Sequence, residues 1–421
     1  MKTGEPMLNC VTDIHGIAHP ILGLIEVTQR CNLHCPVCFR AWANRPEQEN
    51  PAYDPDFQEI LERLQRLKKE RKDIDPTIAF TGGEPTLRDD LPRLVYETHR
   101  LGFSRTEVIT NGLRLAEDLS FCRELKKAGL SQLGFQFDGF NRAIYQILRG
   151  ADLLETKMKA LENIKKAGLP TILAVCVAMD INTHQLGEII HYAIANKDFV
   201  EHINFQALAL PVSQALGFGK ENKVDLPTMS VLIETQTDGR IRAHDFYPPV
   251  KIKPVPAFIE AITGKPQMHL FPLFHHDCNL ATYVYIDKKK KIIPVNDALH
   301  TEEFLNLLER LTRELETNRS PINKTRVIVE LSFKMLALVR RPIFRKIMIQ
   351  SIFKKSFDPL ANLKKILMIS CADYMDITTY REERNRCCGL FYLMPGNRVA
   401  PFCAYNVLGR NLPGGIVGGE T

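Results

Sequence analysis

Three cysteines, Cys31, Cys35 and Cys38, are spaced C-x3-C-x2-C in the stretch EVTQRCNLHCPVCFR, Glu26 to Arg40. Three thiolates this close, directly after the apolar run Ile21 to Val27, can bind three irons of a four-iron cluster and leave the fourth without a protein ligand. An iron with an open position is where a further ligand can bind and react. The spacing separates this use from others. Zinc knuckles pair C-x2-C to C-x4-C units with a second pair roughly a dozen residues on, and no such pair follows. A redox dithiol needs only an isolated C-x-x-C, and an all-cysteine ferredoxin supplies a fourth ligand nearby. Zinc-binding or accidental cysteines are the lesser readings.

Elements must hold such a loop at the edge of a packed core. From Ile21 to about Leu210 the chain alternates apolar runs with amphipathic segments. Strands are expected at LIEV, Thr77 to Phe80, Thr106 to Ile109, Gln132 to Phe137, Thr171 to Val177 and His202 to Leu208. Helices are expected at Pro55 to Lys72, Asp90 to Leu101, Leu119 to Ala128, Ala151 to Ala167 and Thr183 to Asn196, with Gly102, Gly129 and Gly168 as stops. Six βα units predict an α/β fold, a partial (β/α)6 TIM-type barrel. Loops after the strands build the site in such barrels, and the cysteine loop follows strand one.

The other strand ends carry polar motifs. Strand two ends in Gly82-Gly83-Glu84-Pro85, where paired glycines let the backbone approach a ligand beside a carboxylate; a bland turn is the alternative. Strand three ends in Thr110-Asn111-Gly112, which is also a plain tight turn. Strand four ends in Gln136-Phe137-Asp138-Gly139, followed by Arg142 and Arg149-Gly150. Asp138 either caps a helix or contacts ribose or substrate. Cys122 and Cys176 read as core residues.

Beyond Leu210 the rhythm stops. A helix is expected over Thr228 to Thr237 and a hairpin over Thr282 to Ile286 and Ile292 to Val295, in a region that reads as something other than further barrel. Cysteines gather again at Cys278, Cys371, Cys387, Cys388 and Cys403. A hairpin over residues 389 to 402, turning at Pro395-Gly396-Asn397, would bring Cys388 to Cys403. These five are candidate ligands of an auxiliary iron-sulfur site; scattered buried thiols are the alternative. The organisation reads as a segment 1–20, a core 21–235 and a mixed α+β extension 236–421. In the first segment, Cys10, His15 and Gly16 are either incidental or the remnant of a metal knuckle.

Composition narrows the class. Hydrophobic content of 45% with 25% charged residues fits a folded chain, not a disordered one. The net charge of +6 is concentrated: Lys324 to Lys365 hold eleven Lys or Arg against Glu330 and Asp358. A uniformly basic nucleic-acid binder would not look like this. Between Arg326 and Phe357, apolar stripes (Val327, Leu331, Met335, Leu338; then Ile343, Ile347, Ile352) run beside basic residues, as in an interfacial membrane helix or an ordinary packed pair. Eleven cysteines, an odd number, without a signal-peptide pattern, point to a reducing cytoplasm. Peripheral contact with the inner face of the membrane is the variant of that reading.

The triad with Phe39 resembles the signature of the radical S-adenosylmethionine (SAM) superfamily. The resemblance implies that SAM chelates the fourth iron, that an electron from a [4Fe-4S] cluster splits its sulfonium, and that a 5′-deoxyadenosyl radical results. It implies SAM contacts from Gly82, Gly83, Glu84 and Pro85, with Thr110 and Asn111 closing the cofactor floor, and an electron donor such as ferredoxin or flavodoxin. GGEPTLRDDLP (Gly82 to Pro92), FQFDG (Phe135 to Gly139), HHDCNLATYVYI (His275 to Ile286) and RCCGLFYLMPGNRVAPFCAYN (Arg386 to Asn406) resemble one branch of it. That branch holds archaeal tetraether lipid synthase and the dihydro-hydroxymethylpterin methylases, called class D radical SAM methylases. Relatives usually begin with cysteine knuckles and place a cysteine shortly before position 278, where Leu273 and Phe274 stand; His275 or His276 is the substitute ligand. The expected function is carbon-carbon bond formation at an unactivated carbon, on a lipid chain or by methylation of a small molecule. A peptide-modifying maturase and a non-catalytic iron-sulfur electron carrier are the alternatives.

Overall fold

The computed structural model describes residues 12–13, 21–38, 54–210, 217–264, 275–287, 289–341, 366–386 and 388–408. Cys10, His15, Gly16, Phe39 and Cys387 lie outside the described residues, as do Leu273, Phe274 and the stripe from Ile343 onward.

The described strands are β1 (Thr12–Asp13), β2 (Leu22–Thr28), β3 (Thr77–Gly82), β4 (Thr106–Thr110), β5 (Gln132–Gln136), β6 (Thr171–Val177), β7 (Val200–Ala207), β8 (Asn279–Ile286), β9 (Ile292–Pro294), β10 (Ile366–Ala372), β11 (Leu390–Leu393) and β12 (Arg398–Pro401). They form one sheet in the order β1-β12-β11-β2-β3-β4-β5-β6-β7-β10-β8-β9. The six central strands, β2 to β7, are mutually parallel. This is the open (β/α)6 partial barrel that the alternating pattern predicts.

The helices joining these strands are α1 (Phe57–Glu70), α2 (Leu91–Arg100), α3 (Leu113–Glu117), α4 (Leu119–Lys127), α5 (Arg142–Arg149), α6 (Leu154–Ala167) and α7 (Leu186–Ala195). Strand side chains alternate between faces. Leu173, Val175 and Val177 of β6 and Ile203 and Phe205 of β7 are fully buried in one core with Leu64, Leu94, Leu125, Ile164 and Ile190 from the helices. Their alternates Ile172, Ala174, Cys176, His202, Asn204 and Gln206 are only half-buried. The inner face of the curved sheet therefore lines an accessible lumen.

Residues after 210 add no further run of βα units; they extend this sheet at both edges. Strand β10 adds parallel to β7 and the β8/β9 hairpin follows antiparallel. At the other edge β11 adds parallel to β2 and carries β12. The physical reason is the exposed backbone at each edge of an open parallel sheet, which a short strand can satisfy. Further helices are α8 (Leu226–Gln236), α9 (Pro254–Thr263), α10 (Val295–Ala298), α11 (Thr301–Thr317) and α12 (Pro321–Leu338). The first stripe of the basic segment packs inward: Val327, Leu331 and Leu338 join Leu307, Leu308, Leu311 and Phe258 in a helix cluster.

Candidate active site

The cysteine loop leaves β2 at the C-terminal end of the sheet and settles on α5. Leu33 packs with the fully buried Tyr145, and Val37 with Ile144 and Leu148. Helix α5 is absent from the strand-and-helix pattern read above. Its signals are an N-cap, with the Asn141 side chain accepting from Ala143 N, and Gly150 in the left-handed region at its end. The three thiols lie within electrostatic reach of one another. Burial pushes the Cys31 thiol up to about 11, with Glu84, Cys35 and Cys38 adding to the rise. A soft, closely spaced sulfur set suits a metal that deprotonates its ligands.

The two-glycine turn approaches this loop backbone to backbone. Gly83 N donates to Thr28 O and Glu84 N to Arg30 O, both at 2.8 Å. A Cβ on Gly82 would stand 2.1 Å from Thr28 O, and one on Gly83 2.1 Å from Arg30 O. No residue but glycine permits that contact.

Glu84 is 1% exposed and its carboxylate is engaged within the protein. Oε1 accepts from Thr86 N (3.0 Å) and from the hydroxyls of Thr86 (2.5 Å) and Thr110 (2.7 Å), and Oε2 accepts from Asn111 N (2.7 Å). Asn111 Nδ2 in turn donates to Asn32 Oδ1, between Cys31 and Cys35, at 2.7 Å. Glu84, Thr110 and Asn111 thus fasten the ends of β3 and β4 to the cysteine loop that follows β2. Pro85 opens the 3-10 turn that follows.

Asp138 reaches the rim as expected, but its carboxylate is fully buried. Arg149 donates through Nε (2.7 Å) and Nη2 (2.9 Å), Cys176 N donates at 3.1 Å, and Gln136 Nε2 also donates. With both oxygens held, it orients Arg149, which lies within electrostatic reach of Cys35.

Lys157 was not singled out by the sequence, because in the helical pattern it reads as one more surface lysine. It is 0% exposed. Its Nζ donates to Asn111 O (2.5 Å), Gln136 O (3.0 Å) and Gln136 Oε1, joining the ends of β4 and β5. Burial pushes its ammonium down to about 7, against the pull of Asp138, with Cys35 and Glu84 also within reach.

The second cysteine group is resolved into members and a bystander. Cys278, Cys388 and Cys403 interact electrostatically with one another and with Arg384. Burial pushes Cys388 up to about 11 and raises Cys403 and Cys278 as well. Arg384, 3% exposed, donates from Nη2 to Cys278 Sγ (3.1 Å) and to Asp373 O (2.8 Å), setting a cation against the sulfur. The hairpin of β11 and β12 does bring Cys388 and Cys403 together. Cys371 is apart from them: it lies at 0% exposure in the main core, on the helix-facing side of β10 with Leu367 and Ile369. His275, His276 and Asp277 cluster just before Cys278 with ligand atoms within 4.8 Å of one another.

The inner face is apolar along β2 and β3, where Leu24 and Ala79 cluster with Tyr392 and Tyr405, and polar along β7 and β10. His202 Nε2 lies 2.7 Å from Ser370 Oγ, which donates to Asn204 Oδ1 at 3.1 Å. Asn204 also bonds the Tyr374 hydroxyl, which lies within electrostatic reach of Glu107, Cys403 and Cys278.

Residues 25–193 match the model of the radical SAM superfamily. The chain is 35% identical to the 7,8-dihydro-6-hydroxymethylpterin dimethyltransferase of Methanocaldococcus jannaschii over 402 residues, covering 93% of this chain and 77% of that one. A probable GTP 3′,8-cyclase of Methanothermobacter marburgensis is 29% identical over 176 residues, and the match spans 41% of this chain and 54% of the cyclase. Among solved structures, Streptococcus suis SuiB bound to S-adenosylmethionine covers 52% of this chain and 48% of its own at 20% identity and a TM-score of 0.41. Native anSMEcpe with bound AdoMet covers 58% of this chain and 68% of its own at 19% identity, also at 0.41.

Proposed function

Because this chain belongs to the radical SAM superfamily, in the branch of the dihydro-hydroxymethylpterin methylases, we propose that it methylates a polar, nitrogen-rich small molecule held in the lumen of its half-barrel. Enzymes of this family use a [4Fe-4S] cluster and SAM. Cys31, Cys35 and Cys38 are the residues that would hold the cluster, and when bound it supplies the electron that splits SAM to a hydrogen-abstracting radical. The chain's own work is placement. The close contact of Gly82 and Gly83 with the cysteine loop fixes SAM's seat against the cysteines, and Glu84 and Lys157 lock the neighbouring strand ends. Arg149, oriented by Asp138, supplies positive charge beside Cys35. Preorganised groups in a dry pocket act more strongly than they would in water.

The observation that supports the substrate class is that the inner face pairs a polar side, Glu107 with Asn204 and Gln206, with an apolar and aromatic side, Leu24, Tyr392 and Tyr405, as a flat polar ring needs. A hydrocarbon chain threaded past the half-buried Asn204 and Gln206 would take water from them without returning hydrogen bonds, at about 1–3 kcal/mol for each group left unpaired. That weighs against a lipid chain and for a hydrogen-bonding molecule. Cys278, Cys388 and Cys403, with Arg384 beside them, are proposed to hold an auxiliary iron-sulfur cluster at the far side of the lumen.

Anaerobically reconstituted, reduced enzyme with SAM and 7,8-dihydro-6-hydroxymethylpterin should release 5′-deoxyadenosine and return the pterin heavier by a methyl group. Release of 5′-deoxyadenosine with the pterin unmodified, but with an isoprenoid or acyl lipid coupled instead, would replace this reading with the lipid one.

A further inference from the structure

Glu107 is a carboxylate in an unusual place. It lies on the inner face of β4, 7% exposed, while Val108 beside it enters the helix-facing core. Its Oε2 accepts from Gln132 Nε2 at 2.7 Å, and Gln132 is itself held by Arg105 Nη2 on its Oε1 at 2.7 Å. Oε1 lies over Gly134 of β5: a Cβ there would be 2.7 Å from it. The neighbouring strand thus carries a residue with no side chain where the carboxylate oxygen sits. Burial raises the pKa of Glu107, against the hydrogen bond from Gln132 and the charge of Arg105, so a further donor would offset part of that cost.

We propose that Glu107 is the specificity-determining residue of the lumen, its carboxylate accepting from adjacent N–H groups on one edge of a flat nitrogen heterocycle, such as an amino group beside a ring N–H. The inference rests on the methylase reading above. Tyr374, which bonds Asn204, lies within electrostatic reach of Glu107. Thr110 at the rim is three steps along β4 from Glu107, about 10 Å of strand. A bicyclic ring anchored by one edge at Glu107 therefore presents its opposite edge toward the rim, where Glu84 and Thr110 meet the cysteine loop. A carboxylate paired with two donors discriminates strongly, because an analogue lacking them leaves a buried charge unpaired.

The test is anaerobic binding of 7,8-dihydro-6-hydroxymethylpterin, followed by its fluorescence, to wild type, Glu107→Gln and Gly134→Ala, with 2-deaminopterin as the analogue lacking the donor amine and SAM binding as the check on folding. Wild type should bind the pterin and prefer it over the deamino analogue. Glu107→Gln, which replaces an acceptor by an amide, should bind it at least tenfold more weakly and lose the preference, with SAM affinity retained. Gly134→Ala, which displaces Oε1, should also weaken pterin binding. Equal pterin affinity in wild type and Glu107→Gln would overturn this inference and leave the methylase reading standing. No pterin binding by wild type that still binds SAM would overturn both.

Discussion

At the scale of single residues, the groups that look most reactive in sequence turn out to be fasteners. Glu84 and Asp138 carry free carboxylates on paper, yet each is surrounded by donors, and their work is to hold Asn111 and Arg149 in place. Lys157 is the opposite case. Its partners lie 46 and 21 positions away in the chain, so no local pattern reveals it. Replacing it by Met keeps its length and removes the donor, leaving the carbonyls of Asn111 and Gln136 buried and unpaired at about 1–3 kcal/mol. Lys157→Met should therefore weaken SAM binding about tenfold or more by anaerobic calorimetry, and Lys157→Arg should recover part of it. Unchanged SAM affinity in the Met variant would remove Lys157 from the positioning network.

At the scale of elements, the loop after β10 is tied to the barrel through one carboxylate. Asp376, 1% exposed, accepts from Lys223 Nζ (2.6 Å), Leu210 N (3.0 Å), Thr378 N (2.9 Å) and the hydroxyls of Thr378 and Thr379. Burial alone would raise its pKa, but Lys223 and these donors bring it down to about 2 from an ordinary 3.8. A carboxyl depressed on folding stabilises the fold fully above its unfolded pKa and loses that contribution as pH falls through the folded one. The window is therefore from about pH 4 down to about pH 2, and the contribution about 1–2 kcal/mol. Asp376→Asn should lower the unfolding free energy from urea titration by that amount at neutral pH, and its deficit against wild type should shrink as the pH is taken from 4 toward 2. A deficit that is constant across that range would assign the effect to packing instead of charge. Helix α5 makes a similar point about what sequence shows. Its eight residues are too short for the periodic pattern to stand out, whereas the 14-residue α1 and α6 do.

At the scale of the whole molecule, one sheet carries both cysteine groups. Cys31, Cys35 and Cys38 sit on the loop beyond β2. Cys278 and Cys388 sit just before β8 and β11 and Cys403 just after β12, on strands added at opposite edges of the barrel. The proposed auxiliary site shares no ligand with the Cys31, Cys35 and Cys38 loop, so the two can be tested separately. Replacing Cys31, Cys35 and Cys38 together should leave roughly half of the iron and the iron-sulfur absorbance, and replacing Cys278, Cys388 and Cys403 should remove the remainder in the combined variant. A chain without iron after the first replacement alone would refute the auxiliary site.

The cysteine spacing, the six-fold βα rhythm and the turn glycines were legible from sequence because each depends on residues a few positions apart. Chain geometry dictates them locally: a three-thiolate loop, a strand's alternation, a turn that only glycine fits. The joining of the C-terminal strands to both sheet edges, the exclusion of Cys371 from its fellow thiols, the engagement of Glu84 and Asp138, and the polar side of the lumen around Glu107 were decided by tertiary structure alone. Each depends on which buried groups find partners across the sheet, and a buried charge or thiol takes its character from neighbours that sequence order does not place beside it.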